Sequence, residues 1–121
     1  MITRYDDLPD NVAAFLASGE VTAADYEGVL IPTVEDRLAC HKKLSLLYHI
    51  GPDFTGFTAA AMWDDTKIGL GHLTSWERIA VVSDVPWVRN LVHAMGFVIP
   101  APVRLFNHDQ LKEAKLWVSG A

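Results

Sequence analysis

The stretch Arg78-Ile79-Ala80-Val81-Val82-Ser83-Asp84-Val85-Pro86-Trp87-Val88-Arg89-Asn90-Leu91-Val92-His93-Ala94-Met95-Gly96 decides the fold class. Arg78 to Ser83 is a short, nearly continuous apolar run and reads as a strand buried on both faces. The period then changes. Val88, Leu91, Val92 and Met95 recur at i, i+3, i+4 and i+7, which is one face of a helix. Asp84 is the expected cap. Pro86 sits near the first turn, where a missing N–H is harmless. Gly96 marks the end. A buried strand feeding an amphipathic helix is half of a βαβ unit.

The same alternation continues in both directions. Upstream, Thr58 is placed to cap a helix that begins at Ala59. Met62, Thr66, Leu70 and Leu73 form its expected stripe, with Asp64, Asp65 and Lys67 largely outside it. Gly69 and Gly71 weaken that helix by about 1 kcal/mol each against alanine at exposed positions. Before it, Leu44 to Ile50 is a compact apolar run closed by Gly51-Pro52-Asp53, a second buried strand. Further upstream, Thr22 with Asp25 at the third helical position resembles a capping box. Ala23, Tyr26, Val29 and Leu30 share one face, and Pro32 is expected to kink or interrupt the helix before it resumes through Val34 and Leu38 to about Cys40. Ile2 to Tyr5 and Val12 to Ala17 flank the turn residues Pro9-Asp10-Asn11 and read as an antiparallel hairpin.

Downstream, Pro100 and Pro102 flank a bend, and Val103 to Phe106 is a short last strand. Asn107 or His108 opens a final helix with Leu111, Ala114 and Val118 inward. The order is ββαβαβαβα. It predicts an α/β domain with a mostly parallel sheet, an antiparallel N-terminal edge hairpin and about four helices.

Composition sets the class. The chain has 121 residues, half of them apolar, with a net charge of -5. That is the size of one domain, expected to span residues 1–121. Lys and Arg are scattered, with one adjacent pair at Lys42-Lys43, so the basic stripe of a nucleic-acid binder is missing. Cys40 is the one cysteine, so no internal disulfide forms. The opening Met1-Ile2-Thr3-Arg4-Tyr5-Asp6-Asp7 has no signal-peptide layout. No apolar run approaches a membrane span. The expectation is a soluble cytoplasmic domain without a transmembrane segment.

Candidate chemistry is sparse. Gly51-Pro52-Asp53-Phe54-Thr55-Gly56-Phe57-Thr58 has P-loop glycine spacing, but Phe57 stands where the phosphate-binding lysine belongs. A weaker anion or phospho site at Thr55 and Thr58 remains open, beside the plainer reading that Gly56 serves a turn and Thr58 caps a helix. The five histidines are scattered without metal-ligand spacing, so no metal is expected. No nucleophile motif occurs, and Cys40 beside His41 is adjacency rather than a dyad. Neighbouring acids such as Asp64-Asp65 point about 100° apart on a helix. No catalytic residues and no cofactor are expected.

The aromatics are the richest feature. There are four tryptophans, and Trp63, Trp76 and Trp87 lie around one helix and the connections near it. Phe54 and Phe57 precede that helix, and Met62 lies on it. Phe54, Phe57, Met62, Trp63, Trp76 and Trp87 are candidates for lining an apolar ligand pocket. Core packing or an interface between subunits is the other reading of the same residues.

These stretches also carry a resemblance. Gly51 to Thr58, Ala61-Met62-Trp63-Asp64-Asp65, His72, Trp76 to Asp84 and Trp87 resemble the SpoIIAA-like family of small bacterial proteins. Ser18 to Tyr26, Val103 to Phe106 and Glu113 to Trp117 agree with it. The resemblance implies the fold of STAS domains and, more distantly, of CRAL-TRIO lipid-transfer domains. Together with the aromatic cluster and the weak helix, the resemblance to lipid-carrying relatives leads to the expectation of a non-enzymatic binding domain for a small apolar or lipid-like ligand, with weak peripheral membrane contact. The alternative is a STAS-type interaction module acting through exposed helices or as a homodimer. STAS-type anti-sigma-factor antagonists carry a phosphorylated serine in an Asp-Ser-Ser-Gly-like segment. The matching residues here are Asp53-Phe54-Thr55-Gly56, without that serine.

Overall fold

A computed structural model describes residues 1–71, 75–96 and 99–120. Among these, β1 (Ile2–Arg4), β2 (Val12–Ala17) and β3 (Glu20–Val21) open the chain. α1 (Ala23–Asp25), a π-helical turn (Tyr26–Leu30) and α2 (Ile31–Cys40) follow as one helical run. Next come β4 (Leu44–Ile50), β5 (Gly56–Phe57), α3 (Ala59–Gly71), β6 (Trp76–Val82) and α4 (Pro86–Met95). β7 (Val103–Phe106), a 3-10 turn (His108–Gln110) and α5 (Leu111–Val118) close it.

The main sheet has the order β1-β2-β4-β6-β7. β1 pairs antiparallel with β2, from Ile2 opposite Ala17 to Arg4 opposite Phe15. The other three pairings are parallel. The expected edge hairpin and parallel sheet are therefore present. The parallel strands are laid down in one direction without reversal, so right-handed crossovers put the helical run, α3 and α4 on the same face. α5 follows the last strand and covers the other face.

Side-chain alternation in the strands feeds these two layers. On β4, Leu44, Tyr48 and Ile50 pack under the crossover helices, while Leu47 faces α5. On β6, Trp76, Ile79 and Val81 go one way, and Ala80 and Val82 the other. The smaller layer closes on Ala114 and Val118 of α5 and Phe106 of β7. A register shift between Leu44 and Leu46 against β6 lets Trp76 and Ile79 share a face despite their odd separation.

Several local expectations are realised. Thr22 caps α1 in a reciprocal box, its hydroxyl accepting from the Asp25 N–H and the Asp25 carboxylate accepting from the Thr22 N–H. The Thr58 hydroxyl accepts from the Ala61 N–H at the start of α3. Asn107 and Gln110 form a second capping box ahead of α5. Gly96 ends α4.

Others are corrected. Pro32 does not break the first helix. The chain widens just before it, with the Ile31 N–H reaching back to the Tyr26 carbonyl, and Pro32 then occupies the first turn of α2, where it needs no donor. Asp84 does not cap α4. Val85 is the N-cap, the Ser83 hydroxyl accepts from the Val85 N–H, and Asp84 accepts from the His108 N–H.

The buried stripe of α3 is Ala61, Asp64 and Ile68, with Asp65 half-buried beside it. Met62 and Thr66 are exposed, and the Leu70 side chain and Leu73 lie outside what is described. The hidden stripe has the same i, i+3, i+4, i+7 spacing, but two of its four members are aspartates. A hydrophobic pattern read from sequence skips them.

The Gly51–Thr58 stretch is a second correction of substance. Glu20-Val21 and Gly56-Phe57 form a two-stranded parallel ladder, Glu20 opposite Gly56 and Val21 opposite Phe57. The Thr55 N–H donates to Gly19 O and the Thr58 N–H to Val21 O, each at 2.9 Å, and the Phe54 N–H to Gly51 O at 3.1 Å. Gly19 makes the approach possible at a φ of 59°, a conformation that costs a side-chain-bearing residue about 1 kcal/mol or more.

Candidate functional site

The sheet face under α3 and α4 does not close completely. A cavity of about 110 Å³ lies there. Its floor is Leu46, Tyr48, Ile79, Val81 and Val103, and its roof is Asp65 and Ile68 of α3 with Val88, Leu91 and Val92 of α4. Phe57, Tyr26 and Trp76 line it as well. The wall is overwhelmingly apolar. A wall of this kind favours an apolar guest. It is smaller than the roughly 300 Å³ at which drug-sized sites begin, so a longer ligand requires α3 and α4 to part.

One polar chain enters this wall. The Tyr26 hydroxyl donates to Asp65 Oδ1 at 2.8 Å and lies 3.0 Å from the Tyr48 hydroxyl. Tyr26 opens the π-helical turn and is completely buried. The widened turn ahead of Pro32 is where this side chain leaves its helix. Burial drives the Tyr26 phenol far above its ordinary value, and the neighbouring charges of Asp65 and Tyr48 add to that. Burial likewise raises Tyr48. Burial raises the Asp65 carboxyl, against the lowering effect of the Tyr26 hydrogen bond. Next to it, Asp64 is buried with Oδ1 3.5 Å from Lys67 Nζ, while its Oδ2 has no hydrogen-bond partner. α3 thus carries an unsatisfied carboxylate oxygen in addition to Gly69 and Gly71.

The six aromatic and methionine candidates separate into three groups. Phe54, Phe57 and Trp87 come together: Phe54 and Phe57 ring centroids are 4.9 Å apart, Phe57 meets Trp87 edge-on at 5.9 Å, and Phe54 lies 6.2 Å from Trp87. Phe57 also meets Tyr48 edge-on at 6.3 Å, which joins this group to the cavity. Trp76 is buried at the start of β6 and lines the cavity from the sheet. Met62 and Trp63 stand on the outer side of α3, Trp63 64% exposed, and take no part in the lining. The cavity side of α3 belongs instead to Asp65 and Ile68. Thr55 is exposed, and Thr58 spends its hydroxyl on the helix cap. The backbone N–H groups of both are engaged in the β3–β5 connection.

A second cluster lies toward α5 and was not legible from spacing. His49 Nε2 is 2.9 Å from His108 Nδ1, and Tyr5 Oη is 2.8 Å from His49 Nδ1. The expected scatter of histidines therefore fails at this pair, which β4 and the end of β7 bring together. Lys115 reaches Asp7 at 3.0 Å and lies 4.3 Å over the Tyr5 ring. Burial depresses His49, with His108 and Lys115 adding to the effect. Among the described residues, no group of three or more His, Cys, Asp or Glu side chains is placed to hold a metal. No helix among them is long and apolar enough to cross a membrane.

The architecture is shared with a solved structure. An uncharacterized protein from Shewanella loihica, of the DUF3478 family with a SpoIIAA-like fold, superposes with a TM-score of 0.79 at 26% identity. The match covers 97% of this chain and 93% of that one. No curated protein matches the chain. The family model described as SpoIIAA-like matches residues 12–119, from the first residue of β2 to just beyond α5. That span takes in the parallel sheet, every crossover helix and the cavity between them, and the chain belongs to the SpoIIAA-like family.

Proposed function

We propose that this domain is a non-enzymatic binding module that holds a small apolar or lipid-like ligand between its sheet and the α3–α4 pair. The apolar cavity of about 110 Å³ carries this reading. Its roof is the part of the fold with the least reason to be rigid. α3 contains two glycines and a buried carboxylate oxygen without a partner. Elements of low local stability are those that open to admit ligands.

The outer surface of the same two helices suits peripheral membrane contact. Met62 and Trp63 of α3 and Trp87 and Leu91 of α4 are all exposed large apolar side chains. The acidic net charge works against anionic headgroups, so attachment is through apolar insertion at the interface. Loading from a membrane then needs no diffusion of a water-insoluble guest.

Native mass spectrometry of the protein purified from its own cells tests the reading. A retained small mass, lost on denaturation and absent from Leu46→Phe, supports it. A clean unliganded mass, together with no tryptophan emission change across a broad lipid panel, overturns it. Sedimentation with neutral phosphatidylcholine vesicles tests the membrane part, with Trp63→Ser expected to lose most of the bound fraction.

A second reading rests on the 64% exposure of Trp63. A tryptophan left so open is also what a STAS-type interaction module or a homodimer presents. Concentration-dependent dimerisation abolished by Trp63→Ser, without vesicle binding, favours this alternative.

A further inference from the structure

We infer that the cavity selects guests whose apolar body ends in a hydrogen-bond donor, a hydroxyl or an ammonium, and discriminates against carboxylates. This rests on the ligand-binding reading above and specifies its chemical class.

The hydrogens available on the polar groups decide which head groups fit. Among the described residues, three that line the cavity carry side-chain oxygen: Tyr26, Tyr48 and Asp65. Each phenol has one hydrogen to give. Tyr26 spends its hydrogen on Asp65 Oδ1. The 3.0 Å contact between the two phenols therefore has one consistent direction, with Tyr48 donating to Tyr26. Both phenolic hydrogens are then consumed inside the chain. With Asp65 ionised, what these three groups still offer is lone pairs, on the Tyr48 oxygen and on the second carboxylate oxygen of Asp65.

A head group that only accepts finds no donor among these three groups, and a buried group left unpaired costs most of its hydration. A carboxylate also meets the charge of Asp65 in a poorly solvated space, where like charges repel strongly. A hydroxyl donates to either lone pair. An ammonium donates and supplies the counter-charge as well. Recognition built on matched donors discriminates far more sharply than an apolar wall alone, which separates guests mainly by size.

The test uses three probes of one chain length, octanol, octylamine and octanoate. Their binding to the full chain at pH 8 is read by tryptophan emission and calorimetry. Octanol and octylamine are expected to bind at least about tenfold tighter than octanoate. Asp65→Asn is the informative variant. Its amide keeps an acceptor for Tyr26 and turns N–H donors toward the cavity, so octanoate gains and the preference collapses. Tyr48→Phe removes one acceptor and is expected to weaken octanol alone by a few-fold, with octylamine held by Asp65. Equal binding of all three probes, or an unchanged preference in Asp65→Asn, overturns the head-group inference while leaving the ligand-binding reading intact. Failure of every probe to bind a folded protein, together with a clean native mass, overturns the ligand-binding reading itself.

Discussion

His49 and His108 face each other at 2.9 Å between Nε2 and Nδ1, although 59 residues separate them in sequence. The contact is made by strand order. β4 and β7 lie on either side of β6, and His49 comes near the end of β4 just as His108 follows β7. The pair sits among Tyr5, Lys115 and, through the His108 backbone, Asp84. Two protonated rings at this distance repel, and Lys115 adds a third positive charge.

A pH dependence of stability follows from that setting. The folded value of His49 is depressed, by burial first and by His108 and Lys115 next. In the unfolded chain the ring titrates near its ordinary 6.5. Above that value neither state takes the proton and stability is unaffected. As pH falls through it, the unfolded chain gains a proton that the folded one resists, and stability drops. At pH 5.5 the loss is at most about 1.4 kcal/mol. Urea unfolding at pH 7.5 and 5.5 is expected to show this loss, and His49→Gln to remove most of it. Equal losses in both proteins would show that His49 does not titrate against folding.

Asp65 contributes with the opposite sign. Its folded value is raised by burial, so the ionised form is a cost to the fold that is relieved as pH falls through that raised value. Asp65→Asn keeps the Tyr26 hydrogen bond and deletes the charge. It is expected to stabilise the protein at pH 7 by on the order of 1 kcal/mol, and by less at pH 5. Chemical denaturation at the two pH values checks both.

The strands and the capped helix starts were legible because each has a local signal. β4 and β6 are continuous apolar runs, and Thr22 announces α1 three residues before Asp25 answers it. The features that make the site had none. A two-residue strand such as Gly56-Phe57 has no period to read, and its partner Glu20-Val21 is remote in sequence. Asp64 and Asp65 occupy core positions of α3 at helical spacing, but their charge makes any hydrophobicity pattern assign them to solvent. What holds Asp65 inward is the hydroxyl of Tyr26, 39 residues away. Met62 and Trp63 erred in the reverse direction, because an aromatic near an apolar helix reads as inward whether or not it is.

The capping box at Thr22 supports more than its own helix. Ala23 to Asp25 lead directly into the widened turn that aims Tyr26 at Asp65. Thr22→Ala removes the hydroxyl that accepts from the Asp25 N–H. The expected cost is about 1 kcal/mol, the usual value of an N-cap. Thr22→Ser retains the hydroxyl and is expected to stay within a few tenths. Thermal unfolding of the pair separates a cap from mere loss of side-chain volume.

Phe57 joins the cavity to the exposed face of α4, because its ring meets Tyr48 edge-on inside and Trp87 edge-on outside. Each such aromatic pair adds about 0.5–1.5 kcal/mol beyond its buried area. Phe57→Ala removes both contacts and enlarges the cavity that the ring lines. The ring is only half-buried, so the expected loss is about 2 kcal/mol rather than the 3–5 of a fully buried phenylalanine. Trp87 keeps Phe54 but loses the other of its two ring neighbours, and its emission is expected to shift to longer wavelength. Phe57→Leu keeps apolar volume in the cavity wall and loses only the aromatic contacts, so about half of the stability returns while the emission shift remains. Removing this part of the wall also lets a longer chain enter without parting α3 from α4. Among matched alcohols, the tightest binder of Phe57→Ala is therefore expected to be longer than that of the unmodified protein. If the preferred length is unchanged, Phe57 braces α4 without bounding the cavity.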